Sequence, residues 1–320
     1  MNGRVKVFIT GANGFVGTAL CSMLLGKGHE VLAGSRKQSA KSGIKSWCYG
    51  DLVHPIDWTK MLEDIDAIVH LAAVTHDSAA CASSMDYRKI NVDATFNLGL
   101  QAATCGVRRF IFLSSVKACR EETRTTDGLM ESINGSSANI PSTAYGMSKL
   151  AAEQKLREID GLDLVILRPS LIYGLGQRGN MDRLFRFVKA GVPFPLAKVK
   201  NKRSLIGLTN VCGAICAALD LPKGNGMTLA LSDCALSTPE LIQTIADSVG
   251  VRPRIWPIPP LCLKAISFVP GAGPVIRRLT TSLVVDPVHA RKLLEWEPEI
   301  PMQEEMALAA RGTGKLFSPL

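Results

Sequence analysis

The chain has 320 residues, of which 47% are hydrophobic and 20% are charged, and its formal net charge is +9. This balance is that of an ordinary globular protein and excludes a disordered chain or a small disulfide-stapled scaffold. The basic residues are dispersed and no basic repeat with interleaved aromatic residues occurs, so the charge does not predict nucleic-acid binding.

The nine cysteines contain no CxxC pair and predict neither a metal site nor a disulfide framework. The first residues run directly into an apolar strand, without the cleavable hydrophobic region of a signal peptide. The most apolar later stretch, Leu261 to Ile276, contains two prolines and is too short to span a bilayer. We therefore expect a cytoplasmic protein with reduced thiols and no membrane span.

The first half of the chain alternates short β-branched runs with helical stretches, which is the pattern of a parallel sheet covered by helices on both faces. Helices are predicted from Gly14 to Lys27 and from near Ala144 onward. The predicted strands are Val5 to Thr10, Glu30 to Ser35, Ala67 to Ala73, Arg109 to Ser114 and Leu164 to Leu171. We predict an α/β protein with a Rossmann-like, doubly wound parallel sheet of six or seven strands.

Two later regions depart from this pattern. Residues Cys119 to Thr143 are polar and predict a long surface loop. Prolines accumulate in the second half, and four basic residues cluster between Lys198 and Arg203, which suits either a solvated loop or an anion site. We place the Rossmann domain in residues 1–175, with a returning strand near 205–232, and a smaller carboxyl-terminal portion in residues 176–320.

A glycine-rich turn joins the first strand to the first helix. It consists of Gly11, Ala12, Asn13, Gly14, Phe15, Val16 and Gly17. The glycines permit a tight turn and close approach of a pyrophosphate, and the helix N-terminus supplies free N–H groups. Because the turn follows the first strand of a βαβ pattern, it predicts a dinucleotide-binding site.

The end of the second strand bears on which dinucleotide binds. Sites selective for NAD place an acidic residue there, whereas this chain has Ser35 and Arg36, which can hold a 2′-phosphate. NADP(H) is therefore favoured, and NAD(H) remains open. Asp51 and Leu52 close the predicted third strand, where Asp51 is either an adenine contact or a turn residue.

The second predicted helix carries a phenol and an ammonium four residues apart, at Tyr145 and Lys149. This spacing puts both on one helix face, where we expect Lys149 to lower the pKa of Tyr145. Ser115 follows the predicted strand that ends at Ser114, and its hydroxyl can hold a substrate oxygen against the tyrosine. Together with the glycine turn, these residues predict a hydride-transfer site in which Tyr145 is the acid/base.

The spacing of the glycine turn and several further segments are similar to the extended short-chain dehydrogenase/reductases, the NAD-dependent epimerase/dehydratase family. The resemblance extends from Val5 to about Pro298. The segments are Ile68 to Ala73, Asn91 to Thr95, Leu167 to Gly174, Arg203 to Ile206 and Asp286 to Trp296.

The resemblance implies a role for several residues. Ser115, Tyr145 and Lys149 would form the catalytic triad, and Lys149 would also bind the nicotinamide ribose. The cofactor would be lined by Leu71, Ala72 and Ala73, with Pro169 and Ser170 near the nicotinamide carboxamide. Asn91 would also lie near the cofactor, and helix packing is the alternative for it. Asn180, Arg203 and Arg277 would contact the diphosphate of a UDP-sugar. For His70 and His76 we favour a structural role.

Within the family, the Ser114 to Lys117 segment and the Ser282 to Asp286 segment resemble 4-keto reductases. These act on UDP-2-acetamido-2,6-dideoxy-hexos-4-ulose in surface-polysaccharide synthesis, and we predict that activity with NAD(P)H. A UDP-hexose 4-epimerase that retains NAD is the alternative, although Leu171 stands where such enzymes commonly have asparagine. The Thr-Asp-Glu pattern of 4,6-dehydratases is missing.

Two further possibilities concern assembly and class. Family members often dimerise through two helices, and the stretches Ser84 to Cys105 and Tyr145 to Arg157 would suit a homodimer. A non-enzymatic NADP-binding regulator on the same fold is the alternative of another class. Such proteins commonly lose the tyrosine or the lysine, and this chain has both.

Overall fold

The computed structural model describes residues 3–37, 44–75, 84–126, 129–224, 226–259 and 272–312. The strands in these residues are β1 (Lys6–Thr10), β2 (Glu30–Ser35), β3 (Lys45–Cys48), β4 (Ala67–His70), β5 (Arg109–Leu113), β6 (Thr125–Thr126), β7 (Leu129–Met130), β8 (Leu164–Pro169), β9 (Leu171–Tyr173), β10 (Arg203–Gly207), β11 (Met227–Leu231) and β12 (Cys234–Leu236).

The α-helices are α1 (Phe15–Gly26), α2 (Thr59–Leu62), α3 (Ser84–Asp86), α4 (Ala94–Thr104), α5 (Ala144–Arg157), α6 (Asn180–Lys189), α7 (Leu208–Asp220), α8 (Thr238–Val249), α9 (Ala272–Thr280), α10 (Val288–Leu294) and α11 (Met302–Arg311). A π-helical segment, Tyr87–Asp93, precedes α4, and a 3₁₀ turn, Val116–Ala118, follows β5. In the part of the chain that the structure describes, no helix has the length and hydropathy needed to cross a bilayer.

Seven strands form one parallel sheet in the order β11-β8-β5-β4-β1-β2-β3. The chain moves outward from β1 to β3 and then returns to β4 on the other side of β1. Ligands of doubly wound sheets bind at the carboxyl ends of the strands, in the crevice where the order reverses. The predicted fold class is confirmed, and the crevice lies between β1 and β4.

Hydrophobic side chains cover both faces of the sheet. Alternate residues of β1 point to opposite sides, because successive side chains of a strand alternate. Val7 and Ile9 join the core beneath α1 and α7, while Phe8 joins the core that contains Leu98 of α4 and Ala152 of α5. Helices on both faces therefore hold the strand ends rigidly at the crevice.

A smaller sheet, in the order β12-β10-β9, is formed by strands that follow β8 in the chain. Strand β10 pairs with β9 in parallel and with β12 antiparallel. A separate core of buried side chains from α6, α8 and α11 includes Phe185, Ile242 and Met306. This second core supports the element that begins at Arg203.

Two sequence-based boundaries differ from the structure. The predicted strand from Leu164 to Leu171 divides at Ser170, whose N–H donates to the carbonyl of Leu231, so that β9 can leave the main sheet for the smaller one. The region from Cys119 to Thr143 is not simply a surface loop, because Cys119 and Ile133 are fully buried. Ile133 also exchanges backbone hydrogen bonds with residues 284 and 286. Polar neighbours conceal these two anchors in the sequence.

Several elements after residue 175 pack against the main sheet. The returning strand is β11, which pairs with β8 in the main sheet. Helix α7 and the buried residues Ala290 and Trp296 also belong to a core of that sheet. The division into two portions stays a proposal. Most of the apolar stretch at 261–276 lies outside the described residues.

Candidate active site

The glycine turn after β1 packs closely against the neighbouring backbone. Gly11 has φ +68°, and a Cβ at this position would lie 2.9 Å from the backbone nitrogen of Ala72. The N–H of Gly14 donates to the carbonyl of Gly11 at 2.8 Å, which closes the turn. A Cβ on Gly17 would overlap that same carbonyl. The first and third glycines therefore allow α1 to begin directly beside the strand end.

The start of α1 has the features of an anion site. Gly14 is the residue at the helix N-terminus, and no side chain caps it. The first N–H groups of a helix lack intrahelical partners, and the helix dipole is positive at this end. Since the turn lies at the crevice between β1 and β4, its amides suit the pyrophosphate of a dinucleotide.

A hydroxyl at the end of β1 fixes the segment that follows β4. Thr10 Oγ1 accepts from the N–H groups of Leu71 and Ala72 at 3.1 and 3.2 Å. The same hydroxyl lies 2.7 Å from Nδ1 of His70, whose Nε2 lies 2.9 Å from Thr95 Oγ1. His70 is thus fully buried with both ring nitrogens bonded.

The charge state of His70 supports the structural role that we favoured. Burial, aided by the nearby ammonium of Lys149, lowers the pKa of His70 to about 3, so the ring is neutral. His76 lies outside the described residues.

The ends of β2 and β3 carry the residues that bear on nucleotide choice. Ser35 is buried and its hydroxyl donates to the carbonyl of Lys37 at 2.6 Å, whereas Arg36 is exposed. The single proton of Ser35 is therefore already used, and a 2′-phosphate would have to be held by Arg36. Asp51 is exposed and accepts from the N–H of Val53 at 3.1 Å, which is the geometry of a turn residue.

A phenol that the sequence did not single out contacts the glycine turn. The hydroxyl of Tyr49 accepts from the N–H of Gly11 at 3.2 Å, and burial raises the pKa of that phenol. Tyr49 directly follows β3, so only the sheet order brings it to the first glycine. Leu52, three residues further on, is buried in the core on the α4 and α5 side.

Ser115 and Tyr145 meet at the end of β5. The Ser115 hydroxyl is hydrogen-bonded to the Tyr145 phenol and also accepts from the N–H of Lys117 at 3.2 Å. Burial raises the pKa of Tyr145 above its usual value, and the Ser115 hydrogen bond only partly opposes this rise. Tyr145 is therefore a protonated phenol in the protein alone.

Lys149 does not act on Tyr145 as predicted. Its ammonium donates to the carbonyl of Leu113 at 2.9 Å and lies 4.6 Å from the centre of the Phe112 ring. Burial lowers the pKa of Lys149 to about 7, with Glu153 acting in the opposite direction. The expected lowering of the Tyr145 pKa by Lys149 is wrong for this state, because Lys149 is itself desolvated and bonded to the strand carbonyl.

Asn91 joins two parts of the site. It lies in the π-helical segment and is 1% exposed. Its side chain exchanges two hydrogen bonds with the backbone of Val74 at 2.8 and 3.0 Å, and its amide donates to Ser148 Oγ at 3.0 Å. Ser148 in turn donates to the carbonyl of Tyr145. Asn91 thus ties the segment after β4 to the helix that carries Tyr145.

An unpaired hydroxyl lies at the end of β8. Ser170 is 5% exposed, and its Oγ has no hydrogen-bond partner within the described portion of the chain. Pro169 beside it is buried and ends the strand. A buried hydroxyl without a partner is costly, which fits a position completed by a polar ligand group such as a carboxamide. The residues present thus fit a nicotinamide dinucleotide, with the glycine turn suited to its pyrophosphate and Ser170 to its nicotinamide end.

The three residues expected to contact a diphosphate lie on separate elements. Asn180 is exposed at the first position of α6. Arg203 begins β10, and its guanidinium donates to the carbonyls of Arg278 and Thr281 at 3.1 and 3.2 Å. Arg277 in α9 is paired with Glu122 at 3.2 Å. The structure therefore places the Arg203 guanidinium at the carboxyl-terminal end of α9, the helix that also contains Arg277.

Sequence reasoning missed a buried ion pair behind the site. Glu153 of α5 receives two hydrogen bonds from Arg168 of β8, at 2.9 and 2.6 Å, and both residues are no more than 1% exposed. The available signal was spacing, since Glu153 follows Lys149 by four residues and therefore lies on the same helix face.

Chemically, the site offers a phenol that can give or take one proton, a hydroxyl that orients it, and a buried ammonium one turn away. These groups stand at the carboxyl edge of the sheet, beside a turn suited to a dinucleotide. Such an arrangement can support hydride transfer at a carbon that bears oxygen.

The chain is similar in sequence to one protein family and to several curated proteins. Residues 7–228 match the model of the family described as "NAD dependent epimerase/dehydratase family". A UDP-glucose 4-epimerase of Vibrio cholerae is 32% identical over 307 residues, which cover 93% of this chain and 92% of that protein. A 2-alkyl-3-oxoalkanoate reductase of Stenotrophomonas maltophilia is 26% identical over 333 residues, covering 94% and 97%.

Solved structures match over nearly the whole length. UDP-N-acetylglucosamine 4-epimerase from Bacillus cereus has a TM-score of 0.75 at 20% identity, with 97% of this chain and 100% of that chain covered. UDP-glucuronic acid 4-epimerase from Bacillus cereus, solved with UDP-glucuronic acid and NAD, has a TM-score of 0.76 at 20% identity, with 96% and 98% covered. At this identity the likeness shows the fold.

Proposed function

This chain belongs to the NAD-dependent epimerase/dehydratase family, and from that premise we propose that it transfers hydride at C4 of a UDP-linked sugar. It is an NAD(P)-dependent enzyme of the short-chain dehydrogenase/reductase type. The observation that carries the proposal is the Ser115 hydrogen bond to the phenol of Tyr145 at the carboxyl edge of the sheet. The curated relative from Vibrio cholerae supports a nucleotide sugar as substrate.

The residues that would hold the dinucleotide are those of the glycine turn and the segment after β4. The pyrophosphate would be bound by Asn13 and Gly14 to Gly17. The bound molecule would be lined by Leu71, Ala72 and Ala73. The Ser170 hydroxyl would hydrogen-bond to the carboxamide of the nicotinamide. When bound, the nicotinamide supplies or accepts the hydride. We favour NADP(H), because the end of β2 bears Arg36 and no carboxylate.

The protonation state of Tyr145 suits the role of a proton donor. Burial keeps the phenol protonated, so it is ready to donate to the oxygen of a ketone. Ser115 would hold that oxygen through its hydroxyl. Lys149, buried and bonded to the carbonyl of Leu113, would hold the ribose hydroxyls. We favour net reduction of a keto-sugar, because the end of β2 bears Arg36 and no carboxylate, which suits an exchangeable NADPH.

The finer proposal is the 4-keto reduction of a UDP-2-acetamido-2,6-dideoxy-hexos-4-ulose in surface-polysaccharide biosynthesis. It is supported by the segments from Ser114 to Lys117 and from Ser282 to Asp286, which resemble such reductases. Asn180, Arg203 and Arg277 would contact the substrate diphosphate. A planar guanidinium suits a phosphate, and release of Arg277 from Glu122 would free it for that contact.

A second candidate is UDP-hexose 4-epimerisation with retained NAD. The relative named UDP-glucose 4-epimerase favours it. Against it stands Leu171, a half-exposed apolar residue at the start of β9, where such epimerases commonly have asparagine. A leucine cannot accept or donate the hydrogen bond that an amide would give to the sugar.

The deciding experiment follows reduced nicotinamide by absorbance while the purified protein is incubated with NADPH and UDP-4-keto-6-deoxy-HexNAc. Stoichiometric oxidation, lost in Tyr145→Phe, is the expected result. Interconversion of UDP-glucose and UDP-galactose without cofactor consumption would replace this proposal with the epimerase. Reduction of a 2-alkyl-3-oxoalkanoate but of no nucleotide sugar would overturn the substrate class.

A further inference from the structure

Three consecutive residues at the end of β5 are each bonded to a different turn of α5. The α5 residues lie four positions apart, so they form one line along the face of the helix that meets the strand. The pairs are Leu113 with Lys149, Ser114 with Glu153, and Ser115 with Tyr145. The strand end and the helix are thus locked in one register, at which Ser115 reaches the phenol.

The middle pair of this line differs from the outer two, because its acceptor is a fully buried carboxylate. Ser114 Oγ donates to Glu153 Oε1 at 2.5 Å, and the two side chains are 4% and 0% exposed. A hydrogen bond to an ionised acceptor is shorter and stronger than one between neutral groups. This contact therefore restricts movement of the strand end along α5 more than a neutral pair would.

Arg168 holds that acceptor in a fixed orientation. Its guanidinium binds Glu153 through Nε at 2.9 Å and Nη2 at 2.6 Å. The fork shape of the two groups defines the direction of the carboxylate. Because Arg168 lies on β8, the neighbour of β5 in the sheet, Glu153 is anchored to a strand that does not itself carry Ser115.

We propose that Ser114 and Glu153, with Arg168 as counterion, are positioning residues that set the Ser115 to Tyr145 hydrogen bond. Tyr145 lies in the first turn of α5, while Glu153 lies two turns further along. A slide or rotation of α5 would displace Tyr145 and Glu153 together. The hydrogen bond between Ser114 and Glu153 opposes this movement of the helix. The proposal rests on the function proposed above for Ser115 and Tyr145.

The variant to test is Ser114→Ala. Substituting Glu153 or Arg168 would leave a buried charge without its partner and would destabilise the whole protein. Ser114→Ala removes only the hydroxyl and keeps the ion pair. The matched control is Ser232→Ala, which removes the hydroxyl of another serine that is 3% exposed. Its single proton is shared between the backbone carbonyls of Leu205 and Cys234, at 3.2 and 3.1 Å, neither of which belongs to α5.

Two readouts separate positioning from general stability. The first is kcat and KM for the keto-sugar; small misplacements of reacting groups reduce rates by about 10-fold to 100-fold. We expect at least about a tenfold loss of kcat in Ser114→Ala with KM within about twofold, and no loss in Ser232→Ala. The second is ¹⁹F NMR after incorporation of 3-fluorotyrosine, in which the Tyr145 signal is assigned by its loss in Tyr145→Phe.

In the ¹⁹F spectrum, Ser114→Ala should move the Tyr145 resonance toward its position in Ser115→Ala, and Ser232→Ala should leave it in place. An unmoved Tyr145 resonance in Ser114→Ala overturns the proposal, as does an unchanged kcat. If the wild-type protein turns over no UDP-sugar, the function proposed above fails, but the ¹⁹F comparison still decides whether Ser114 positions the phenol.

Discussion

Glu121 binds the start of α5 through Thr143. Its Oε1 accepts from the N–H of Thr143 at 3.0 Å and from the Thr143 hydroxyl at 2.7 Å, and Oε2 accepts two further bonds from Ser142. Thr143 Oγ1 accepts in turn from the N–H of Gly146, which caps the helix. The first turn of α5, with Tyr145, therefore depends on a carboxylate more than twenty residues earlier in the chain.

Glu121→Ala should lower the free energy of unfolding by about 1–3 kcal/mol, because four donors lose their shared acceptor. Burial opposes ionisation of Glu121, but the hydrogen bonds from Ser142 and Thr143 outweigh it and hold the pKa below its usual value. This contribution is thus fully present above about pH 4.5 and is lost as the pH falls through the lowered pKa. Urea unfolding at pH 7 measures the loss of stability in Glu121→Ala, and the same comparison at pH 3 measures how much of the Glu121 contribution is lost at low pH.

The adjacent Glu122 provides the control for this measurement. It is paired with Arg277, whose side chain is 66% exposed. An exposed pair contributes little, so Glu122→Ala should change stability by less than about 1 kcal/mol. Equal losses in the two variants would contradict the capping role of Glu121.

Gly17→Ala should weaken dinucleotide binding and lower the melting temperature. The added Cβ would overlap the carbonyl of Gly11 and lie 2.7 Å from Cα of Ala12, both backbone atoms that cannot turn aside. The glycine turn would have to move away from α1, together with its free N–H groups. Titration of NADH and NADPH by fluorescence, combined with thermal melting, checks the prediction.

Gly26→Ala, at the other end of the same helix, is its matched control. Nothing lies within 4 Å of a Cβ built at Gly26, so binding should not change. Stability should stay equal or rise by a few tenths to about 1 kcal/mol, since alanine favours helices. A loss of binding as large as that in Gly17→Ala would show that any alanine in α1 is harmful.

Lys149 should make the stability of the protein without ligand rise between about pH 7 and pH 10. Burial lowers its pKa in the folded state to about 7, so over this range the unfolded chain holds a proton that the folded protein has released. The free energy of unfolding therefore increases with pH, by on the order of 3 kcal/mol from this group. Below pH 7 both states are protonated, and Lys149 contributes no slope.

Guanidinium unfolding of Lys149→Met across this pH range should lack the rise seen in the wild-type protein. Lys155→Met is the control, because Lys155 lies on the same helix with its side chain 49% exposed. It should keep the wild-type slope. The prediction is wrong if the two variants follow the same pH dependence.

Arg36→Ala should raise the Kd of NADPH by about tenfold, which corresponds to about 1.4 kcal/mol, and should change that of NADH by less than about twofold. Ser35 cannot replace it, because its hydroxyl proton is donated to the carbonyl of Lys37. Isothermal titration with both nucleotides measures the ratio.

Another exposed arginine, Arg4, controls for the loss of surface charge. It is paired with Glu30 and its side chain is 70% exposed. Arg4→Ala should affect the two nucleotides equally. If Arg36→Ala does so as well, Arg36 is a surface charge and the preference for NADP(H) loses its support.

Much of the architecture was predictable because it depends on local patterns. The strand from Glu30 to Ser35 was predicted to the residue, and the glycine turn lies at the crevice as expected. The polar segment around Ile133 was predicted to lie at the surface, whereas Ile133 is buried, because its anchors are residues 284 and 286, far away in sequence. Local composition carries no information about such partners.

For the candidate site, the sequence anticipated which side chains lie close together but not their electrostatics. Ser115 and Tyr145 are hydrogen-bonded as the motif suggests, and Asn91 lies against the helix of Tyr145. The effect of Lys149 on the phenol was not predictable, since its ammonium is turned toward the carbonyl of Leu113. A pKa depends on burial and on neighbours in space, neither of which the YxxxK spacing contains.

By itself the sequence determined the βαβ order, the glycine turn and the one helix face shared by Tyr145, Lys149 and Glu153, since strand and helix periodicity are properties of a single segment. Only the tertiary structure decided which groups those side chains meet. The Arg168 partner of Glu153 and the Glu121 acceptor of Thr143 lie on other elements. Burial of Lys149 decides its charge, because folding removes the water that would otherwise stabilise the ammonium.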